Sequence, residues 1–283
     1  MTARLTSHRY GKHRVRVSKV RRPREASAKD ETHEFVEVDA NVTLEGNFEA
    51  AYLNADNQSV IATDTCKNTV YALARDDDLR TIESFGLAIA RHFVSEHPQV
   101  SACEASLSEQ VWQRLLDSPH AFTADQRMTP TTTVKVGKDG SVVVCSGFER
   151  LLVAKTTESG FSDFARSDMR TLADMDDRIL CTEISANWRY DTLPDDFAAA
   201  RAAMVDALLH RFVDHYSHSV QETLYLMGQA AIDACSAAAE ITLTLPNKHH
   251  LLVDLSPFDR DNANEVFVVT DQPYGYITAT LSR

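Results

Sequence analysis

The stretch on which the fold prediction rests is SVIATDTCKNTVY, residues 59–71. It opens with a short apolar run, breaks at Thr63 and Asp64, and follows a helical pattern from Lys67. A strand-like entry, a Thr/Asp pair and a helical run together predict a helix N-terminus. Such a terminus presents free backbone N–H groups and a positive dipole end, so it can hold an anion or a planar oxo-substrate. The plainer alternative is a capped helix with no further role.

Composition places the chain among globular proteins. Its 283 residues suffice for one large core or two modest domains, and 43% hydrophobic with 25% charged residues is ordinary for a soluble protein. We predict no membrane span and no signal peptide, because no apolar run is long enough and the basic N-terminus lacks an apolar segment. Five scattered cysteines without a CxxC predict a reducing compartment and neither a disulfide frame nor a zinc site.

Charge is distributed unevenly along the chain. The first 24 residues hold nine Lys/Arg and no acid, which leaves 20 basic against 41 acidic residues in the remainder. A basic arm on an acidic body is one signature of nucleic-acid binding, but no stacking aromatics beyond Tyr10 are interleaved here. The alternation predicts a strand instead, with Val15 and Val17 on one face and Lys12, Arg14 and Arg16 on the other. This basic face would line a positive cavity or meet solvent.

The two halves of the chain repeat one order of elements, strand, strand, helix, helix, strand, strand, and the second half closes with one strand more. In the first half we predict strands at 10–20, 34–45, 99–108 and 131–146, helices at 67–75 and 82–96, and a loop from Arg22 to Thr32. In the second half we predict strands at 145–155, 178–188, 241–245, 264–270 and 274–281, and helices from near Pro194 and over 220–238. Pro246 is expected to end its strand, and residues 271–273 to form a turn.

This repetition predicts two α+β modules, residues 1–140 and 141–283, each an antiparallel sheet with helices packed on one face. The helices cannot cover both faces of a sheet. We therefore expect the other face to be covered by oligomerisation.

Six blocks of sequence, in this order, resemble the urate oxidase (uricase) family: Tyr10–Lys12 with Val15–Val20, Val60–Tyr71, Lys155–Phe161, Asp177–Leu180 leading to Trp188–Tyr190, Leu245–His250, and Pro273–Gly275. The resemblance implies a cofactor-free and metal-free oxidase that converts urate and dioxygen to 5-hydroxyisourate and hydrogen peroxide. It implies tandem tunnelling-fold (T-fold) modules, a barrel closed by a partner, and a homotetramer with active sites between subunits.

By resemblance, Lys12, Thr63 and His249 form a catalytic relay, with Thr63 supplied by the neighbouring subunit. A lysine near other cations, here Arg14 and Arg16, can have a lowered pKa and act as a base. A threonine hydroxyl can pass a proton on. A histidine that titrates near neutrality can order the water that attacks later.

The resemblance also implies a set of substrate contacts. Arg178 and Gln221 would clamp a carbonyl edge and an amide edge, and Phe161 would stack on the purine ring. Leu172 and Val220 match apolar wall positions of the site. Asp64 matches the carboxylate beside Thr63, and Asn247 matches the residue beside the dioxygen and water site. Read alone, Arg178 is an ordinary ion-pair partner and Phe161 an ordinary core ring.

Three alternatives stay open at this point. His210, Asp214, His215 and His218 share one predicted helix, and the first two have the spacing of a metal-binding pair. The chain could instead be another purine- or pterin-handling enzyme of the same tandem fold, or a non-catalytic binding protein. Because the sequence stops at Leu281-Ser282-Arg283 without a Ser-Lys-Leu peroxisomal address, we expect a cytoplasmic protein.

Overall fold

The computed structural model describes residues 3–22 and 32–283 of the chain. The chain divides into two compact units, one made of Met1–Gly147 and Arg189–Ala198, the other of Phe148–Trp188 and Ala199–Arg283. The predicted loop from Arg22 to Thr32 lies almost wholly outside the described residues. The division into modules 1–140 and 141–283 stays a prediction, because compactness alone does not define a folding module.

The first unit is an antiparallel sheet with helices packed against it. Its elements are β1 (Tyr10–Arg21), β2 (Glu34–Gly46), α1 (Glu49–Asn54), α2 (Thr63–Asp76), α3 (Ile82–Glu96), β3 (Val100–Gln110), β4 (Trp112–Arg114), β5 (Phe122–Ala124) and β6 (Thr129–Gly137). Four strands pair in the order β1-β2-β3-β6, all antiparallel, while β4 and β5 form a separate small ribbon.

The second unit repeats this plan. Its elements are β7 (Val142–Lys155, which belongs to this unit from Phe148 onward), β8 (Leu180–Tyr190), α4 (Phe197–Val213), α5 (Val220–Ala234), β9 (Ala238–Leu252), a 3₁₀ turn (Ser256–Phe258) and β10 (Phe267–Ser282). Strand β9 lies between β8 and β10 and pairs with β10 in antiparallel register.

Strand composition explains which face is buried. Along β2 the alternate residues Val36, Val38, Ala40, Val42 and Leu44 are all buried. Such period-two burial is what a sheet with one covered face requires. In both units the opposite face instead carries cross-strand hydroxyl pairs: Ser106 with Thr133, Thr242 with Thr280, and Thr244 with Thr278.

Each unit brings one helix very close to its sheet at a glycine. A Cβ on Gly86 of α3 would lie 3.0 Å from a methyl group of Val134 and 3.1 Å from one of Leu107. A Cβ on Gly228 of α5 would lie 2.9 Å from a methyl group of Leu281. The helix backbones pack this closely because the two positions have no side chain.

The predicted helix at 82–96 is confirmed at both ends. Thr81 caps it by accepting a hydrogen bond from the backbone N–H of Ser84 at 3.2 Å. Phe85, Ile89 and Phe93, the predicted apolar stripe, are fully buried. This helix packs on β3 and β6.

Several predicted boundaries are wrong. Pro246 does not end its strand, because its carbonyl accepts a hydrogen bond from the Thr182 hydroxyl at 2.9 Å and its pairing continues opposite Tyr276. The strands predicted at 264–270 and 274–281 are one strand, β10, whose register shifts between Thr270 and Gly275. The last helix ends at Ala234 rather than at residue 238, because β9 begins at Ala238.

All five cysteines are free thiols. Burial raises the pKa of Cys66 to about 11 and that of Cys103 to about 12, so both are unreactive as nucleophiles at neutral pH. Among the helices described, none combines the length and the apolar character needed to cross a membrane.

Replacing Phe85 with alanine is expected to lower the apparent free energy of unfolding by about 3–5 kcal/mol, since a fully buried ring leaves a cavity. Denaturant unfolding at fixed protein concentration measures this. The matched control is Arg91→Ala on the exposed face of the same helix, for which a change within about 0.5 kcal/mol is expected. Equal effects of the two substitutions would contradict the packing of α3 on the sheet.

Candidate functional site

A cavity of about 440 Å³ in the second unit gathers most of the predicted site residues. Seven line its wall: Phe161, Leu172, Arg178, Val220, Gln221, Asn247 and His249. Its volume lies in the ordinary range for small-molecule sites, about 300–1,000 Å³. We call these seven residues the second half-site.

The loop between β7 and β8, residues 156–179, positions Phe161 and Arg178, and we call it the clamp loop. It doubles back on itself: the N–H of Phe161 donates to the carbonyl of Met175 at 2.7 Å, and Met175 returns a bond at 3.0 Å. The N–H of Arg178 donates to the carbonyl of Ser159 at 2.8 Å. As a result the guanidinium carbon of Arg178 lies 5.3 Å from the ring centre of Phe161.

A stack of side chains fixes the plane of the Phe161 ring. Phe164 lies parallel to it, with 4.6 Å between ring centres and 8° between planes. The guanidinium carbon of Arg170 lies 4.0 Å from the centre of the Phe164 ring. This cation–π contact extends the stack and restrains Phe164. Phe164 was not anticipated from the sequence, because nothing in the pattern of a loop predicts which rings will stack.

Arg178 is the electrostatic centre of this cavity. Burial lowers its pKa, an effect that Tyr216 partly opposes, yet a guanidinium stays charged in proteins. Its Nε atom is buried and has no hydrogen-bond partner in the described part of the chain. A buried cationic donor without a partner is destabilising, so the arrangement suits an anionic ligand that accepts this hydrogen bond.

The start of helix α5 supplies Val220 and Gln221 to the cavity. Ser219 caps the helix by accepting from the N–H of Glu222 at 3.1 Å, and the Glu222 carboxylate accepts from the N–H of His218 at 2.9 Å. Val220 is buried and gives an apolar wall, whereas the carboxamide of Gln221 is exposed and offers both a donor and an acceptor. The Ser-x-x-Glu spacing, which sequence analysis overlooked, is a helix-start signature.

Strand β9 supplies Asn247 and His249 opposite an irregularity in β10. His249 pairs with Thr270 and Asn247 with Gly275, so the four residues 271–274 lie opposite the single residue Lys248, and β10 holds three extra residues there. The Lys248 amine lies 3.6 Å from the carboxylate of Asp271 within this bulge. Bulges re-aim neighbouring side chains, which explains how a regular strand contributes to a cavity.

Other cavity-lining residues were not anticipated: Ala173, Met175, Ile179, Lys248, His250, Leu251, Leu252 and Ile277. Several are consecutive on β9, where strict alternation predicts that only every second side chain faces the cavity. The bulge in β10 breaks that rule, and nothing in the sequence of β9 reveals it.

The other three predicted residues, Lys12, Thr63 and Asp64, belong to the first unit, and we call them the first half-site. Lys12 lies where β1 itself is irregular. Lys12 pairs with Val42 but Val15 pairs with Ala40, so β1 holds one extra residue between them. Since residues paired across strands share a face, Lys12 lies on the same face as Val15.

The extra residue is accommodated at Arg14, whose φ is 61° and whose N–H donates to the side chain of Asn41 at 2.8 Å. The Arg14 guanidinium lies 3.1 Å from the carboxylate of Asp39. The prediction that Lys12 shares a face with Arg14 and Arg16 is therefore wrong, because the bulge interrupts the alternation on which it rested.

Helix α2 begins at Thr63 itself. Ala62 occupies the N-cap position and no side chain caps the helix, so the predicted start at Lys67 and the predicted Thr/Asp cap are both wrong. The chain before the helix is held by Tyr10, whose hydroxyl accepts from the N–H of Ile61 at 2.8 Å. The Thr63 side chain is exposed and, among the described residues, makes no hydrogen bond, which leaves its hydroxyl available for a ligand.

Asp64 connects Lys12 with the start of α2. Its carboxylate accepts from Lys67 at 2.5 Å and from Asn68 at 2.9 Å. These bonds lower the pKa of Asp64, Lys67 most strongly, and the charge of Lys12 lowers it further. Strand β1, which carries Lys12, packs against α2 of the same chain, so Lys12 and Thr63 can act as one group from one subunit, whereas the resemblance implies that Thr63 comes from a neighbouring one.

The prediction that His210, Asp214, His215 and His218 share one helix is wrong, because α4 ends at Val213 and the last three lie between it and α5, which begins at Val220. His210 has its nearest acid in Asp206, at 3.6 Å, rather than in Asp214. Within residues 3–22 and 32–283 no group of three or more His, Cys, Asp or Glu side chains is arranged to hold a metal ion.

Comparison with known proteins gives consistent results. The family model described as Uricase matches residues 8–135 and 144–278. The uricase of Arthrobacter globiformis is 41% identical over 279 residues, covering 99% of this chain and 90% of the relative, and that of Dictyostelium discoideum is 36% identical over 287 residues, covering 99% and 98%.

Solved structures extend the comparison. The crystal structure of the Arthrobacter globiformis uricase superimposes with a TM-score of 0.94 at 40% identity, covering 100% of this chain and 96% of that one. A mutant urate oxidase from Bacillus sp. TB-90, 19% identical with a TM-score of 0.84 over 98% and 99%, shows the shared fold alone. The predicted α+β tunnelling-fold class is thereby confirmed.

Lys67→Met is expected to raise the pKa of Asp64 toward its ordinary range, because Lys67 is the largest cause of the lowering. Lys12→Met should raise it by a smaller amount. Carboxyl ¹³C NMR titration of labelled aspartates measures both effects, with Lys138→Met, whose amine binds the Pro98 carbonyl, as the control. An unchanged Asp64 titration in Lys12→Met would contradict the placement of Lys12 beside the start of α2.

Proposed function

The chain belongs to the uricase family, and from that premise we propose that it oxidises urate with dioxygen to 5-hydroxyisourate and hydrogen peroxide, without a cofactor. It is an oxidoreductase, as its relatives are. The observation that carries the proposal is the unpaired, buried Nε of Arg178 beside the Phe161 ring, in a cavity that Gln221 also lines.

The second half-site suits a flat, anionic heterocycle. Phe161 offers a fixed ring on which a purine can stack. The Arg178 guanidinium fits a carbonyl edge that carries negative charge, and the Gln221 carboxamide fits an amide edge with one donor and one acceptor. Leu172 and Val220 close the apolar sides of the plane.

The overall reaction balances without any further reagent. Urate loses two electrons, dioxygen accepts both together with two protons to become hydrogen peroxide, and the oxygen of one water molecule bonds to C5 of the purine. Because urate itself supplies the electrons, the protein has to bind the substrate, remove protons from it and position the water and the dioxygen.

The first half-site would provide the base. Lys12 accepts a proton that the Thr63 hydroxyl passes on from the substrate, since a hydroxyl is both donor and acceptor. His249 and Asn247 line the cavity of the second half-site. His249 would order the attacking water, and Asn247 would occupy the position beside dioxygen. Asp64 is tied to Lys67 and Asn68, so it holds the α2 start in place next to Thr63.

We further propose a homotetramer in which each active site combines the first half-site of one chain with the second half-site of another. Apolar side chains near the cavity end of β9 and β10 support association, since Leu251, Val269 and Tyr276 are 51%, 58% and 65% exposed. Exposed apolar strands of this kind mark interaction surfaces. The five free thiols fit a reducing compartment, for which we propose the cytoplasm.

The direct test follows the loss of urate's ultraviolet absorbance together with the appearance of hydrogen peroxide in chelator-treated buffer. Lys12→Met and Thr63→Ala are each expected to lower kcat by about 10²–10⁴-fold, the ordinary contribution of a positioned proton-transfer group. Substrate affinity should change little, because Arg178, Gln221 and Phe161 remain.

Lys138→Met serves as the control, since this lysine binds the Pro98 carbonyl in the turn after β6 and is expected to leave turnover unchanged. Full activity of Lys12→Met or Thr63→Ala would refute the relay. A protein that binds urate but consumes neither urate nor dioxygen would favour the second possibility, a different purine- or pterin-handling enzyme.

A further inference from the structure

A buried chain of hydrogen bonds lies behind the second half-site and centres on His215. The His215 Nδ1 lies 2.6 Å from the Arg211 carbonyl, and its Nε2 lies 3.0 Å from the Thr223 hydroxyl. Thr223 contacts the Ser217 hydroxyl at 2.6 Å, and Ser217 donates to the Ser219 carbonyl at 3.1 Å. Four contacts thus run between two backbone carbonyls.

The protonation state of His215 decides whether all four contacts of this hydrogen-bond chain can form. The carbonyls at both ends can only accept, so each of the four contacts needs a proton from one of the three side chains between them. Thr223 and Ser217 supply one each, and a neutral histidine supplies one, which leaves one contact without a proton. A doubly protonated His215 supplies two and completes all four. Thr223 and Ser217 are fully buried and their hydroxyl protons are used within these contacts, so the missing proton falls at His215.

This chain of hydrogen bonds joins the clamp loop to the start of α5, the two segments that are proposed to bind the substrate. The N–H of Ser217 donates to the Glu158 carbonyl at 2.9 Å, and the Ser217 carbonyl accepts from the N–H of Gly160 at 2.8 Å. Gly160 directly precedes Phe161 in the clamp loop. Thr223 lies in the first turn of α5, two residues after Gln221. Forming or breaking a bond of this hydrogen-bond chain therefore alters how Phe161 is positioned relative to Gln221.

We propose that His215 is a positioning residue that takes up a proton when urate binds, completing the buried chain and fixing the clamp loop against the start of α5. The inference rests on the proposed function and adds a pH-dependent affinity to it. His215 does not touch the substrate and acts through Thr223 and Ser217.

Burial and the charges around His215 determine the direction in which its pKa is shifted. Burial lowers its pKa, and the charges of Lys155 on β7 and Arg211 on α4 lower it further, while the bond to the Arg211 carbonyl and the charge of Glu222 on α5 raise it. The Lys155 amine donates to the His215 carbonyl. His215 is therefore neutral at neutral pH and the chain is one proton short. A proton on His215 completes the hydrogen bonds that hold the clamp loop, so it strengthens urate binding, and because coupling between two sites is reciprocal, bound urate strengthens proton binding by His215.

The experiment uses anaerobic urate, which binds without turnover, and isothermal titration calorimetry in buffers of different ionisation enthalpy. The wild-type protein is expected to take up more protons on binding than His215→Gln does. Its urate affinity relative to that variant should rise by about fivefold as pH falls from about 8 to about 5. In aerobic assays the wild type and His215→Gln should differ in the pH dependence of KM and not in that of kcat.

Thr223→Val is nearly isosteric and breaks the chain while it keeps His215, so it should abolish the extra proton uptake as well. His218→Gln removes a neighbouring histidine that binds Glu222 outside the chain, and it should leave the uptake unchanged. Identical proton uptake and KM profiles in wild type and His215→Gln, or normal uptake in Thr223→Val, would overturn the inference. Absence of urate binding by the wild type would instead overturn the proposed function on which it rests.

Discussion

Both half-sites depend on interruptions of regular strand pairing. In β1 one extra residue turns Lys12 onto the face that carries Val15, and in β10 the four residues 271–274 lie opposite the single residue of β9 between Asn247 and His249. Uninterrupted strands would alternate strictly and leave Lys12 with Arg14 and Arg16 on a solvent face. The regular parts of the strands thus form a rigid support, and the bulges place the side chains of the two half-sites.

Each unit also uses the first turn of a helix to position site residues. Thr63 and Asp64 open α2, and Val220 and Gln221 open α5, so each half-site takes side chains from the first turn of a helix. These positions are held firmly, by Tyr10 before α2 and by the Ser219 cap of α5. The clamp loop is the exception, since it holds Phe161 and Arg178 by folding back on itself. That the guanidinium of Arg178 keeps an unpaired buried donor is the clearest sign that the loop is shaped for an anion.

Sequence reasoning succeeded where a pattern is repeated and local. The stripe of Phe85, Ile89 and Phe93 defines α3, and the alternation through Val36 and Val38 defines β2. The membership of the second half-site also followed from the sequence, but through resemblance to a family, since no local pattern places Arg178 near His249. The reasoning failed wherever long-range pairing overrides a local signal. Pro246 continues its strand because Thr182 and Tyr276 hold it, Lys12 changes face because of a bulge, and α2 starts at Thr63 without a side-chain cap.

The central claim is that one chain supplies the base and another supplies the anion clamp to the same active site. Co-expression of a Lys12→Ala chain with an Arg178→Ala chain tests this most directly, because neither variant alone can form an intact site. If the half-sites come from different chains, random mixing leaves about a quarter of the sites intact and restores about a quarter of the wild-type urate oxidation. If each chain builds its own site, the mixed protein stays as inactive as the two single variants, and the account is contradicted.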